Sequence, residues 1–197
     1  MARVFAAAAL TSIVALAGTA QGATIVTFAD PSMGPSTPLF DVNTTTNQLT
    51  GGWSGSGMLL ETPGLAAPDV PNATFTISAV TLLTPLPFAT LGPGQLDFYD
   101  SANVLQLTIT FNGGLLTSSF GFGASEFQGN NVTFSGPLLG GAILADEAFA
   151  FSFANPVATP TGYQATASFT SSATIIPAPG AAAILGLGGL AAIRRRR

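Results

Sequence analysis

Apolar and polar side chains alternate with a period of two along several stretches of the chain. Phe75, Ile77, Ala79 and Thr81 alternate with Thr74, Thr76, Ser78 and Val80. Leu105, Leu107, Ile109 and Phe111 alternate with Val104, Gln106, Thr108 and Thr110. Phe149, Phe151 and Phe153 alternate with Ala148, Ala150 and Ser152, and Tyr163, Ala165, Ala167 and Phe169 with Gln164, Thr166, Ser168 and Thr170. Side chains of a strand point to opposite faces in turn, so each stretch can bury one set and wet the other. Aromatic and β-branched residues suit such half-buried surfaces. Further strands are expected at residues 24–28, 52–60, 131–134 and 141–145. Asn112-Gly113-Gly114 lies between apolar runs and carries the signal of a tight hairpin. It predicts that residues 104–111 pair with 115–122. Proline-rich stretches at 62–71 and 85–93 read as loops.

No segment between residues 23 and 176 shows a sustained helical stripe. That stretch has the length of one ordinary domain and is large enough for a core. One sheet alone could not cover so much apolar surface. The expected fold class is therefore all-β, a single β-sandwich of jelly-roll type over residues 23–176.

Charge changes the picture more than composition does. The chain holds no Cys, no His and no Lys, and its five cations are Arg3 and Arg194 to Arg197. All nine acids lie between those ends. Without His or Cys there is no Ser-His relay and no ordinary zinc, haem or iron–sulfur ligation. Without a cation in the middle there is no electrostatic hold on nucleic acid. Outward faces of Thr, Ser, Asn and Gln also leave little charge to protect sheet edges from pairing with neighbours.

The two ends differ from the middle. Met1-Ala2-Arg3 precedes an uncharged run, Val4 to Gly18, and then the small residues around Ala20 to Ala23. This is the plan of a secretory signal peptide, predicted over residues 1–22 as an N-terminal apolar helix. At the other end, Pro177-Ala178-Pro179-Gly180 leads into an apolar stretch that ends at Ile193, followed by Arg194, Arg195, Arg196 and Arg197. Residues 180–193 as helix would measure about 21 Å, against a bilayer core of about 30 Å. Such a span needs snorkelling arginines or a thinned membrane. The arginines orient it with the tail in the cytoplasm and the domain outside.

This ordered set, a short Pro-x-Pro motif, an apolar span and a terminal arginine cluster, resembles the PEP-CTERM sorting signal. Pro177 and Pro179 match the prolines of that family and Arg194 to Arg197 its basic end; Ala178 stands where the family usually has Glu. The resemblance covers residues 175–197 and does not extend to the central domain. It implies a tail, residues 177–197, that holds the protein at the inner membrane until an exosortase-type enzyme removes it. It also implies delivery to the cell surface, with extracellular polysaccharide as a partner.

Chemistry in the middle rests on carboxylates. Asp97 and Asp100 frame Asp97-Phe98-Tyr99-Asp100-Ser101-Ala102-Asn103, whose oxygens could hold Ca²⁺ or could serve as turn and cap groups. Trp53, in a Gly/Ser-rich stretch, could offer a flat ring to a sugar or could pack among strands. Asp146 and Glu147 are adjacent and would point to opposite faces of an extended strand. Glu61 and Glu126 stand apart, and no spacing marks a pair of carboxylates flanking one bond. The expected function is that of a non-enzymatic structural or interaction protein of the cell surface, without a cofactor unless Ca²⁺ binds. The alternatives are a Ca²⁺-assisted carbohydrate-binding module and a secreted glycan hydrolase.

Overall fold

The computed structural model describes residues 22–118 and 125–176. The expected terminal helices, 1–22 and 180–193, fall outside that range except for Gly22. Within it the chain is all-β. The first strands are β1 (Ala23–Phe28), β2 (Phe40–Asn43), β3 (Gln48–Trp53) and β4 (Thr74–Thr81). Then come β5 (Phe88–Leu91), β6 (Gly94–Tyr99), β7 (Leu105–Phe111) and β8 (Gly113–Thr117). The last are β9 (Ser125–Asn130), β10 (Thr133–Ser135), β11 (Ile143–Thr159) and β12 (Gly162–Ile176). A 3-10 turn, Pro137–Leu139, is the one helical piece among the described residues.

The strands form one antiparallel sheet in the order β10-β7-β6-β4-β3-β2-β12-β11-β9-β8-β5, with β1 on β12. The sheet curls. Phe98 on β6 meets Phe169 on β12 at 5.3 Å, and Phe75 on β4 meets Phe151 on β11 at 6.0 Å. Strands β4 and β6 therefore face β11 and β12 across a filling of phenylalanine rings. Phe151 touches six of them, from β1, β2, β4, β9, β11 and β12. Aromatic pairs add about 0.5–1.5 kcal/mol beyond the area they bury. Such a core can hold without disulfides or ion pairs.

The curl has a local cause. Only Gly92 and Pro93 separate β5 from β6, and only Asn112 separates β7 from β8. The two runs keep one register across these gaps: Ala89 faces Leu116 on one side and Leu96 faces Ile109 on the other. β9 and β10 continue it, with Gln128 opposite Leu115 and Phe134 opposite Ile109. Three long strands thus turn together at Gly92–Gly94, Asn112–Gly114 and Gly129–Asn131. Glycine marks such corners because a side chain would obstruct the approach of a neighbouring backbone. At Gly114 a Cβ would collide with the Gln128 carbonyl oxygen.

The predicted hairpin at Asn112 is therefore not formed. A two-residue type I′ turn needs positive φ at both central residues. Neither Asn112 nor Gly113 has it. β7 pairs with β6 and β10, whereas β8 pairs with β5 and β9.

The sheet also returns on itself. Leu82 bridges Leu91, and the Leu83 N–H donates to the Thr90 carbonyl at 2.8 Å. The continuation of β4 thereby covers the outer side of β5, and the circuit β4-β3-β2-β12-β11-β9-β8-β5 closes.

Other expectations shift at bulges. In β4, Phe75 and Ile77 are buried as the alternation predicts, but Val80 is buried and Ala79 and Thr81 are exposed. The register slips between Leu49 and Gly51 of β3, which inserts one extra residue in β4 and reverses its faces. The strand expected over 52–60 stops at Trp53, and β5 lies inside the stretch expected to be a loop. Where β1 breaks register between Thr24 and Thr27, a buried hydroxyl replaces the ladder. Ser171 Oγ accepts from the Val26 N–H at 3.1 Å and donates to the Val26 carbonyl at 2.9 Å.

Candidate functional site

Asp97 sits in the middle of β6, between Thr76 on β4 and Thr108 on β7. Its neighbours Leu96 and Phe98 are buried, so its carboxylate is on the outer face. Thr108 Oγ1 donates to Oδ1 at 2.6 Å and Gln95 Nε2 to Oδ2 at 2.7 Å. Asp97 is thus a strand residue rather than part of the loop read from the sequence.

Asp100 opens the turn between β6 and β7. Its Oδ1 accepts the N–H groups of Ala102 and Val104, both at 2.9 Å, and its Oδ2 accepts Gln106 Nε2 at 2.7 Å. The Asp100 N–H donates to the Val104 carbonyl at 3.0 Å, and Asn103 takes a left-handed φ of 60° to complete the turn. The Val104 N–H, then those of Ala102 and the Gln106 amide, hold the Asp100 carboxyl below the usual carboxylate range against some desolvation. The carboxylate organises the turn, which is the cap role weighed beside Ca²⁺.

Trp53 ends β3 opposite Phe75 and packs partly buried against the core. Gly55 closes over its six-membered ring so tightly that a Cβ there would lie 2.6 Å from Cζ2. The indole Nε1 is buried without a hydrogen-bond partner among the described residues. The loop after Trp53 continues to Gly57, whose N–H donates to Asn72 Oδ1 at 3.2 Å.

These two loops meet. Ser54, Gly55 and Ser56 face Asp100, Ser101 and Asn103 across an open cleft of about 260 Å³, with Asn72 and Thr74 in its wall. The structure thus brings Asp100 beside the Trp53 loop but leaves Asp97 outside the cleft. Its lining is one carboxylate, two amides and several hydroxyls, a set suited to hydrogen-bonding a neutral polar ligand. Sequence reasoning named Asn103 as the last residue of the Asp97–Asn103 stretch and missed Asn72 here. Their signal was residue type: both are left-handed, at φ 51° and 60°, which asparagine tolerates better than most residues.

The remaining acids are dispersed. Glu126 lies on β9 beside Thr117, and Glu61 bridges Thr27 through its backbone. Asp146 takes a φ of 54° within a bulge of β11, so the extended geometry that would put the two acids on opposite faces is absent there, and Glu147 accepts the N–H of Phe134 on β10 at 3.3 Å. No group of three or more His, Cys, Asp or Glu side chains is placed to hold a metal ion among the described residues. Burial pushes the Tyr163 hydroxyl up to about 12, and a hydrogen bond with Ser118 opposes the shift.

No helix among the described residues is long and apolar enough to cross a membrane. The sorting motif Pro177, Ala178, Pro179 and Gly180 and the arginines 194–197 lie outside the described residues. The chain matches no protein-family model, and no curated protein or solved structure matches it.

Proposed function

We propose that this is an exported structural or interaction protein of the cell surface, carried to the membrane by a PEP-CTERM-like tail and released by an exosortase-type enzyme. In this reading the curled sheet is a jelly-roll-like sandwich that serves as cargo, and residues 1–22 and 177–197 are its two addresses. The carrying observation is the order of the carboxyl end: Pro177-Ala178-Pro179, the apolar run to Ile193, then four arginines. In its support, β12 reaches Ile176, and the motif begins at the next residue of the sequence. The test is intact-mass measurement of the protein recovered from its own cells. Loss of the residues after Pro179, with or without an added group, is the expected result. A polypeptide that keeps Arg197 overturns the reading.

A second reading is favoured by one observation, the polar cleft at Asp100. There the body is a glycan-binding module, and Ser54, Ser56, Asn72 and Asn103 would bond sugar hydroxyls. A glycan array checks it, with Asn72→Ala and Ser56→Ala expected to weaken any signal. A thermal melt with millimolar Ca²⁺ separates a metal-assisted site from a metal-free one.

A further inference from the structure

The end of the body from which the tail departs carries an apolar groove of about 440 Å³. One wall is the loop Gly64, Leu65, Ala66 and Ala67; the other is Leu139 to Ile143, and Ile175 and Ile176 close it. None of the lining residues is charged or carries a polar side chain. Ile143 and Ile176 are partners across β11 and β12, and they are 55% and 43% exposed. Leu65, Ala67 and Leu139 form a floor packed against the core. Contiguous aliphatic side chains exposed beside such a floor mark an interaction surface.

The start of β1 and the end of β12 lie together here. Ala23 of β1 pairs with Ala173 of β12, three residues before Ile176. The groove residue Gly64 lies so close to the Thr24 carbonyl that a Cβ would collide with it. The apolar runs at 4–18 and 181–193 therefore attach to the same pole of the body as the groove.

Chain length then limits where that pole can be. Five residue steps separate Ile176 from Ala181, which at full stretch is about 17 Å. The interfacial zone of a bilayer occupies about 5–8 Å on each side of the hydrocarbon core. If residues 181–193 enter the bilayer, Ile176 can stand no more than about 17 Å from the hydrocarbon core, or roughly 9–12 Å beyond the interfacial zone, so the groove is held close to the membrane surface.

We propose that this groove is a membrane-seating surface: in the unprocessed chain its uncharged rim, Leu65 to Ala67 and Ile143 with Ile176, rests in the interfacial layer of the bilayer. The inference rests on the reading of 177–197 as a membrane-directed tail. It adds that the body docks on the lipid instead of swinging free on its linker. Seating would hold the Pro177-to-Gly180 segment at the membrane plane, where an embedded enzyme could reach it. The occupant is lipid of no particular headgroup charge, because the rim offers neither cation nor anion.

The chain has no cysteine, so one introduced thiol is the only labelling site. Full-length chains carrying Ala66→Cys, Ile143→Cys or Thr45→Cys would be labelled with an environment-sensitive dye and reconstituted into phosphatidylcholine vesicles. Ala66 and Ile143 are exposed at the groove; Thr45 is exposed in the turn beside the far end of β12. The expected result is blue-shifted emission at positions 66 and 143, with iodide quenching several-fold weaker than at 45 and strong quenching by doxyl-labelled lipid. Unchanged melting of all three labelled chains confirms that the substitutions leave the fold intact. Vesicle-bound protein whose labels at 66 and 143 are as open to iodide as that at 45 overturns the seating surface and leaves the tail reading standing. Protein that does not associate with vesicles overturns both. Labels protected equally without vesicles, and untouched by doxyl lipid, overturn it in favour of a groove filled by the chain's own 181–193 or by a second copy.

Discussion

At the scale of single residues, stability is concentrated in the aromatic filling. Phe151 has no exposed surface and six ring neighbours. Phe151→Ala removes a whole ring from a site walled by other rings, which can collapse only partly. The expected cost is about 3–5 kcal/mol, read from urea denaturation. Asp100 acts differently, since its effect depends on pH. Its folded carboxyl is held below the ordinary range, chiefly by the Val104 N–H. A depressed folded pKa gives stability that is present above the unfolded pKa and lost as pH falls through the folded one. Asp100→Asn should therefore flatten the acid limb of a melting-temperature profile below about pH 4. A limb as steep as that of the parent chain would assign the acid sensitivity to other carboxylates.

At the scale of elements, the corners govern the fold. Gly114 lets β8 pass against β9 where three strands change direction. Gly114→Val puts a branched side chain into the Gln128 carbonyl and should cost about 1–3 kcal/mol or more, seen as a lower denaturant midpoint. The same corner explains what the sequence could and could not convey. Unbroken alternation was legible: Leu107, Ile109 and Phe111, the Phe149–Phe151–Phe153 triplet, and Tyr163 to Phe169 all bury the set that the period selects. Asn112-Gly113 was misread because a bend within a long strand and a reversal between two strands use the same permissive residues. Only the partners decide between them, and those are distant in sequence. β4 lost its phase after Ile77 because a bulge has no composition of its own. β2, β5, β6 and β9 escaped notice because four to six residues leave too little alternation to count. At the candidate site the turn chemistry of Asp100 was legible, since Asp-Ser-Ala-Asn is a turn composition. Its meeting with Ser54 and Ser56 was not, because it depends on β3, β4 and β6 lying side by side.

At the scale of the whole molecule, the body 22–176 is a polyanion with no internal counter-charge. Its nine carboxylates repel one another with no cation to offset them. Added salt shortens the reach of that repulsion to about 8 Å at physiological strength. The melting temperature of the body should thus rise with sodium chloride between low and physiological ionic strength, as calorimetry would show. A fall would mean that the charges are spaced beyond one another's influence and that another salt effect dominates. The pairing of Ala23 with Ala173 has a consequence of a different kind. Whatever is joined to either terminus of this body meets it at one and the same pole. Copies fastened through their carboxyl ends would stand with a common polarity, the turn at Thr45 pointing away from the support. A coat built from them would show its surroundings a single repeated facet, with the orientation of each unit set by two adjacent strands rather than by a neighbour.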